Sequence, residues 1–282
     1  MKLLFLGTAA ATGIPLVFCN CDVCKKARIN KGKDFRTRSS VVINGEMLID
    51  LGPDVASQAC KYNIDLGKIK YLVQTHSHAD HFDAGHFITR WSEYATKNLS
   101  PLKIFCSKET CNDINFGVKI QEPSFEIYDE TWKKNLNYDL HFLENGDTVE
   151  IDNYSITAIN SFHDERINSL IYVISYCGRN ILYGTDLFKV EQTSWDIIKK
   201  FKYNVVILDQ TYGKGYNNGG HLDSEQVVNI INKMREENLI SSNTHIYATH
   251  ISHEGNEIHK KAEREAALHG YHIAYDGLEI KL

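Results

Sequence analysis

No apolar run in this chain approaches the length that crosses a membrane, which sets aside an integral helical membrane protein. Nor is there a surplus of basic residues. With 31 Lys and Arg against 36 Asp and Glu, the formal net charge is -5, so nucleic acid is not an expected partner and any such contact would have to be local. The seven cysteines are odd in number and three are clustered. That argues against a disulfide framework and for a metal site in a reducing compartment, by default the cytoplasm. No low-complexity linker or internal repeat divides the chain. The opening MKLLFLGTAAATG carries one Lys, and its apolar stretch at 3–6 breaks at Gly7 and Thr8, so it reads as a strand and turn rather than a secretory leader. What remains is the composition of a soluble globular protein, long enough to bury a large core as one α/β unit spanning 1–282.

Short β-rich segments dominate. Residues 3–6 form one strand; 41–43 and 47–49 are joined through Asn44-Gly45, a two-residue hairpin signal because both positions tolerate positive φ. Residues 69–73 make another strand, followed later by 154–159, 170–176, 181–183, 205–208 and 246–248. Helical spacing predicts a helix from His81 towards Lys97, using Phe82, Phe87 and Trp91, and a second over 224–239 with Asp223 or Ser224 as N-cap. A last helix over 257–269 precedes a C-terminal strand pair, 273–275 with 278–282, around Asp276-Gly277. Strands in runs with interspersed helices predict two sheets packed face to face with helices outside, an αββα sandwich. Residues 112–138 are polar-aromatic and weakly periodic, and read as an insertion or lid.

The decisive segment is Thr75-His76-Ser77-His78-Ala79-Asp80-His81, directly after an apolar strand. Imidazole and carboxylate are the usual ligands of zinc and related ions. Four such groups in six residues can point two ways, His76 and His78 to one ion, Asp80 and His81 to a neighbour. Further candidates stand where later strands end: His163 in Ser161-Phe162-His163-Asp164, Asp186 in Tyr183-Gly184-Thr185-Asp186, and His250 in Ala248-Thr249-His250.

In this order the motifs resemble the metallo-β-lactamase superfamily along essentially the whole chain. The resemblance implies His76, His78 and His163 on one divalent ion, Asp80, His81 and His250 on a second, and Asp186 bridging them. The two catalytic ions would be zinc or manganese. An Asp bridge with His as last ligand looks like the superfamily hydrolases that act on phosphodiesters. Two cations roughly 3.5–4 Å apart can activate water and neutralise the attacking and leaving oxygens of an in-line displacement. Asp50 matches the superfamily's early Asp; it reads either as an orienting partner of the metal loop or as a turn residue.

Cys19-Asn20-Cys21-Asp22-Val23-Cys24 is a C-x-C-x2-C cluster. Three Cys and one His make a closed tetrahedral zinc site of the structural kind, and His253, three residues after His250, is the candidate fourth ligand. This arrangement resembles the phosphoribosyl cyclic-phosphate phosphodiesterases of bacterial phosphonate breakdown. A similar cluster also occurs in the coenzyme-PQQ biosynthesis protein B family, so it leaves the substrate open. The zinc would pin the N-terminal loop against the loop carrying His250. Cys60, Cys106, Cys111 and Cys177 read as buried inert thiols.

Gly219-Gly220-His221 follows a glycine-containing stretch, 213–220, and precedes a helix. Phosphodiesterase branches of the superfamily carry a Gly-His step in this region. By that resemblance His221 would stabilise phosphoryl oxygens or protonate the departing alkoxide, with Asp80 as the other catalytic residue. Arg36, Arg38 and Lys214 read as ordinary solvated charges. The expected activity is hydrolysis of a small phosphodiester, such as a nucleotide-like or cyclic phosphate. A tRNA 3′-processing endonuclease, a lactonase or thioesterase, and a cofactor-biosynthesis or metal-carrying protein share the fold and stay open, as does a homodimer.

Overall fold

Strands with near-continuous apolar sequence are explained by what covers both their faces. The computed structural model describes residues 1–164, 166–216 and 219–282. Its first half runs β1 (Lys2–Gly7), α1 (Asp22–Asn30), β2 (Ser40–Ile43), β3 (Met47–Ile49), α2 (Val55–Tyr62), β4 (Tyr71–Val73), α3 (Ala84–Ile88), β5 (Leu102–Cys106), α4 (Lys108–Gln121), α5 (Glu130–Leu136) and β6 (Tyr138–Phe142). The second half runs β7 (Thr148–Ile151), β8 (Tyr154–Asn160), β9 (Leu170–Tyr176), β10 (Arg179–Gly184), α6 (Gln192–Ile198), β11 (Val205–Asp209), α7 (Ser224–Glu236), β12 (His245–Thr249), α8 (His259–Leu268), β13 (His272–Ile273) and β14 (Glu279–Lys281). One sheet has the order β14-β1-β2-β3-β4-β5-β6 and the other β13-β12-β11-β10-β9-β8-β7. Both are mixed: the first is antiparallel up to β3 and parallel beyond, and the second is parallel from β13 to β10 and antiparallel beyond.

Successive strand residues point to opposite faces, so each strand feeds two cores. Leu3, Phe5, Ile43 and Met47 meet Tyr154, Tyr172, Tyr183 and Ile207 between the sheets. Leu4, Leu6, Val42 and Leu72 face outward against Phe87, Ile114, Val118 and Leu136. On the other side Val173, Leu182, Val206 and Leu208 pack on Trp195, Val227, Ile231 and Met234. The result is the four-layer αββα sandwich.

Several local expectations change in this context. The Asn44-Gly45 turn takes in a third residue, because Ile43 pairs with Met47 and Glu46 N–H donates to the Ile43 carbonyl. The helix expected from His81 to Lys97 is only Ala84–Ile88: Asp83 caps it by accepting from His86 N–H, which leaves His81 in the metal loop. The two C-terminal strands do not pair with each other. β13 extends the second sheet beside β12 and β14 extends the first beside β1, so one short segment finishes an edge of each sheet. Residues 112–138 run through α4 and α5 and bury Ile114, Val118, Phe125, Ile127 and Leu136 against the first sheet. Cys106 and Cys111 are buried, but Cys60 and Cys177 are exposed, since one lies on the outer side of α2 and the other in the β9–β10 turn. Arg36 is not a solvated charge either. It is 4% exposed and donates to Thr8 Oγ1 (2.7 Å), to the Ala274 carbonyl and to His259 Nδ1 (3.1 Å). Arg38 pairs with Asp54 and Lys214 with Glu225. Of the stretch 213–220, residues 217 and 218 lie outside the described residues.

Candidate metal centre

The ligand candidates come from strand ends on one edge of the sandwich. The loop after β4 supplies His76, His78, Asp80 and His81, and the loops after β8, β10 and β12 supply His163, Asp186 and His250. At these ends the backbone turns sharply: Asp50, Phe162, Asp186 and His250 all have positive φ, between 51° and 64°. Left-handed backbone in four non-glycine residues is costly and clusters where a site dictates direction. Gly52 serves the same end by close approach, because a Cβ there would lie 2.3 Å from the Asp80 carbonyl oxygen.

Each imidazole but one is tied back through Nδ1. His81 Nδ1 donates to Asp50 Oδ2 at 2.7 Å, and His163 Nδ1 donates to the Gly220 carbonyl at 2.6 Å. Thr75 Oγ1 lies 3.0 Å from His76 Nδ1, and Thr211 Oγ1 lies 2.8 Å from His250 Nδ1. Holding Nδ1 fixes the tautomer and directs the Nε2 lone pair inward, the usual second layer of a metal site. His78 instead offers Nδ1, 3.3 Å from His163 Nε2.

The ligand atoms then converge. His76, His78 and His163 form one group within 4.8 Å of one another; Asp80, His81 and His250 form another; His76, His81 and Asp186 form a third that links them. His76 Nε2 and Asp186 Oδ2 are buried without a hydrogen bond, although His81 Nε2 lies 2.8 Å and His250 Nε2 3.1 Å from that carboxylate oxygen. Lone pairs of imidazole and carboxylate aimed at shared points fit divalent cations, which would satisfy both orphaned atoms. The electrostatics point the same way. Burial works against ionisation, yet the surrounding imidazoles hold Asp80 and Asp186 well below the usual carboxylate range, while burial pushes His76 down to its neutral, ligating form.

Asp50 takes the orienting role. Fully buried, it accepts from His81 Nδ1, from Thr75 N–H (2.8 Å) and Oγ1 (2.9 Å), and from Gln74 Nε2 (3.0 Å).

Asp209, at the end of β11, is a buried residue that the sequence reading missed. Its Oδ2 lies 3.0 Å from His221 Nδ1 and 3.4 Å from His250 Nδ1, and accepts from Asp186 N–H at 3.0 Å. Oδ1 accepts from Thr211 N–H (2.8 Å) and Leu222 N–H (3.3 Å). A carboxylate directly after an apolar strand is the same signal that marked Asp186 and His250. His221 is thereby held on the cavity wall, its ring stacked at 5.1 Å on His250 and 4.4 Å from His163. Burial opposes its charge, but Asp209, with Asp186 and Asp80, raises it to about 9.

Cys19, Cys21, Cys24 and His253, the last in the same loop as His250, also converge within 4.8 Å. Sγ of Cys21 and of Cys19 lie 3.4 and 3.7 Å from His253 Nδ1. Burial raises the Cys24 thiol to about 12, whereas hydrogen bonds from the Cys24 N–H and His253 outweigh burial and bring Cys21 down to about 6. Three sulfur atoms and one imidazole converging on one point fit a cation, and the donor set suits tetrahedral zinc. The two loops so joined are also laced by backbone: Ala10 N–H donates to the Ile251 carbonyl and Ile251 N–H to that of Thr8.

Over its whole length the chain is similar to a solved diphosphatase of the PhnP family, with a TM-score of 0.72 and 22% identity, covering 97% of that chain. It is similar to zinc-bound PqqB from Methylobacterium extorquens (0.70, 17%, full coverage of both chains) and to the short form of human tRNase Z (0.67, 20%, 100% and 99% covered). At these identities the likeness speaks for the fold. A stretch of 85 residues, 29% of this chain, is 38% identical to a curated octanoyltransferase of Porphyromonas gingivalis, and it spans 16% of that relative's length. Residues 46–251 match the family model of the beta-lactamase superfamily domain, and the chain belongs to that superfamily.

Proposed function

We propose that this protein is a metal-dependent hydrolase that cleaves a small phosphodiester, a cyclic phosphate or a nucleotide-like diester. The observation that carries the reading is the placement of His221 by Asp209 beside two linked ligand groups. His76, His78 and His163 would hold one divalent cation, Asp80, His81 and His250 the other, with Asp186 between them. When bound, zinc or manganese supplies the Lewis acidity that turns water into a nucleophile and neutralises charge on the reacting oxygens.

The chain's own residues do the rest. Asp50, Thr75, Thr211 and the Gly220 carbonyl keep the imidazoles in one orientation. With Nδ1 bonded to Asp209, His221 has Nε2 free to stabilise a phosphoryl oxygen and to donate its proton to the departing alkoxide. The cavity over the cluster is about 220 Å³, below the roughly 300–1,000 Å³ of pockets that take drug-sized ligands, and this supports a small ester. A second cleft of about 630 Å³ opens beyond His163, between Phe162, Arg166 and Lys189. The Cys19, Cys21, Cys24 and His253 group would carry a structural zinc. Turnover of bis-p-nitrophenyl phosphate by zinc- or manganese-loaded protein tests the reading, and a parallel panel of lactones, thioesters and pre-tRNA tests its rivals; a fully loaded protein active only on carbonyl esters would contradict it.

A further inference from the structure

The wall of the 220 Å³ cavity includes Thr12, Tyr212, His221, Ser252 and Glu254. Glu254 is out of place in a site for an anion. It is half-buried, and it stands close enough to Tyr212 to push that phenol up after burial itself. Among the described residues only its backbone is hydrogen-bonded: its N–H donates to Ser252 Oγ at 3.0 Å, and its carbonyl accepts from Gly213 N–H at 3.1 Å. No described cation pairs with its carboxylate.

The loop that presents it has no slack. A Cβ on Gly213 would fall 1.8 Å from the Gly255 carbonyl oxygen, so the turns at 213 and 255 lie back to back. Asn256 Nδ2 donates to the carbonyls of Thr211 (2.9 Å) and Ser252 (3.0 Å), closing the loop on itself. Glu254 therefore stands on a constrained backbone with an unpaired carboxylate, on the wall of the cavity where the phosphodiester would bind. Like charges at such range cost affinity unless the ligand itself brings donors. A further phosphate would be repelled, whereas hydroxyl groups would satisfy the carboxylate without adding charge. Thr12 supplies a second unmet group, because its Oγ1 is buried with no partner.

We infer that Glu254 is a specificity-determining residue that accepts hydrogen bonds from hydroxyls on one ester group of the substrate, with Thr12 Oγ1 as a second contact. The substrate class is then a phosphodiester of a polyol rather than of a plain alcohol or a polyphosphate. This assignment rests on the phosphodiesterase reading given above.

The test uses metal-loaded wild type, E254A and E254Q with glyceryl methyl phosphate, propyl methyl phosphate and aminoethyl methyl phosphate, followed by phosphorus NMR, with metal content measured alongside. Wild type is expected to prefer the glyceryl ester over the propyl ester by about tenfold or more in kcat/KM, chiefly through KM. E254A should lose that preference by lowering kcat/KM on the glyceryl ester and raising it on the propyl ester, and E254Q should keep part of it. A parallel fall on both esters, an unchanged preference, a loss of metal in E254A, or a stronger preference for the aminoethyl ester would each overturn the assignment. If loaded wild type hydrolyses none of the three and bis-p-nitrophenyl phosphate is not turned over either, the phosphodiesterase reading falls. The same diesters titrated calorimetrically then decide Glu254 alone, since the ratio of affinities needs no turnover.

Discussion

Asp209 Oδ2 stands 3.0 Å from His221 Nδ1, and the same oxygen accepts from the backbone N–H of Asp186 and lies 3.4 Å from His250 Nδ1. One buried carboxylate thus sets the acid candidate, the bridging ligand candidate and the last ligand candidate relative to each other. The Asp209→Asn variant keeps the volume but removes the charge that holds the His221 proton. It should reduce kcat by roughly 100-fold while leaving metal content close to wild type. Because Asp209 helps raise His221 to about 9, its loss should also move the alkaline limb of the rate profile to lower pH. A pH–rate profile on loaded protein checks both; an unmoved alkaline limb would make Asp209 purely structural.

Asp50 is a second organiser, and its variant should behave differently. It contacts no substrate-facing atom but holds His81, Thr75 and Gln74. Asp50→Ala should weaken binding of the cation proposed for Asp80, His81 and His250 by roughly 10–100-fold, read by competition with a chelator, before any effect on kcat at saturating metal.

The cysteine cluster joins the loop after β1 to the loop after β12. If the cluster holds a structural metal, as proposed, Cys21→Ser should remove it, lower Tm by roughly 10 °C and reduce occupancy of the candidate catalytic centre, because His250 sits three residues from His253. Calorimetry with metal analysis reads all three; unchanged values would mean that the cluster holds no ion that matters to the fold.

His259 gives a pH dependence outside the ligand clusters. Burial, with Arg36 and Lys33 close by, pulls it down to about 4, against an ordinary value near 6.5. Its folded pKa is depressed, so the unfolded chain takes up a proton first as pH falls. The associated stability is present above about pH 6.5 and is lost on the way down through pH 4. His259→Gln should flatten this acid limb, leaving the variant ~3 °C less sensitive than wild type over that range in thermal melts, a figure reduced for the partial exposure of the ring.

Much of the site was legible because each ligand candidate ends a strand or sits in the loop just after one, and that pattern is local. His76 to His81 could be read from spacing, and His163, Asp186 and His250 from strand-end positions together with the superfamily resemblance. Asp209 obeys the same rule in Leu208-Asp209-Gln210, but the family resemblance that singled out Asp186 was not extended to it. The failures were non-local. Residues 273–275 and 278–282 have a good turn between them, but each is captured by an unpaired edge of a different sheet. The Phe82, Phe87 and Trp91 spacing is helical, yet the cap at Asp83 and the needs of the metal loop confine the helix to five residues. Arg36 has the sequence context of a surface charge, and only the packing of the C-terminal segment over it creates the buried partners Ala274 and His259.

The most direct test of the account is kcat on bis-p-nitrophenyl phosphate for metal-loaded wild type and His221→Ala, with metal content measured on the same samples. The account predicts turnover by wild type, a loss of roughly 100-fold or more in the variant, and equal metal in both. Equal turnover in the two proteins, or a variant that fails because it has lost its metal, would contradict it.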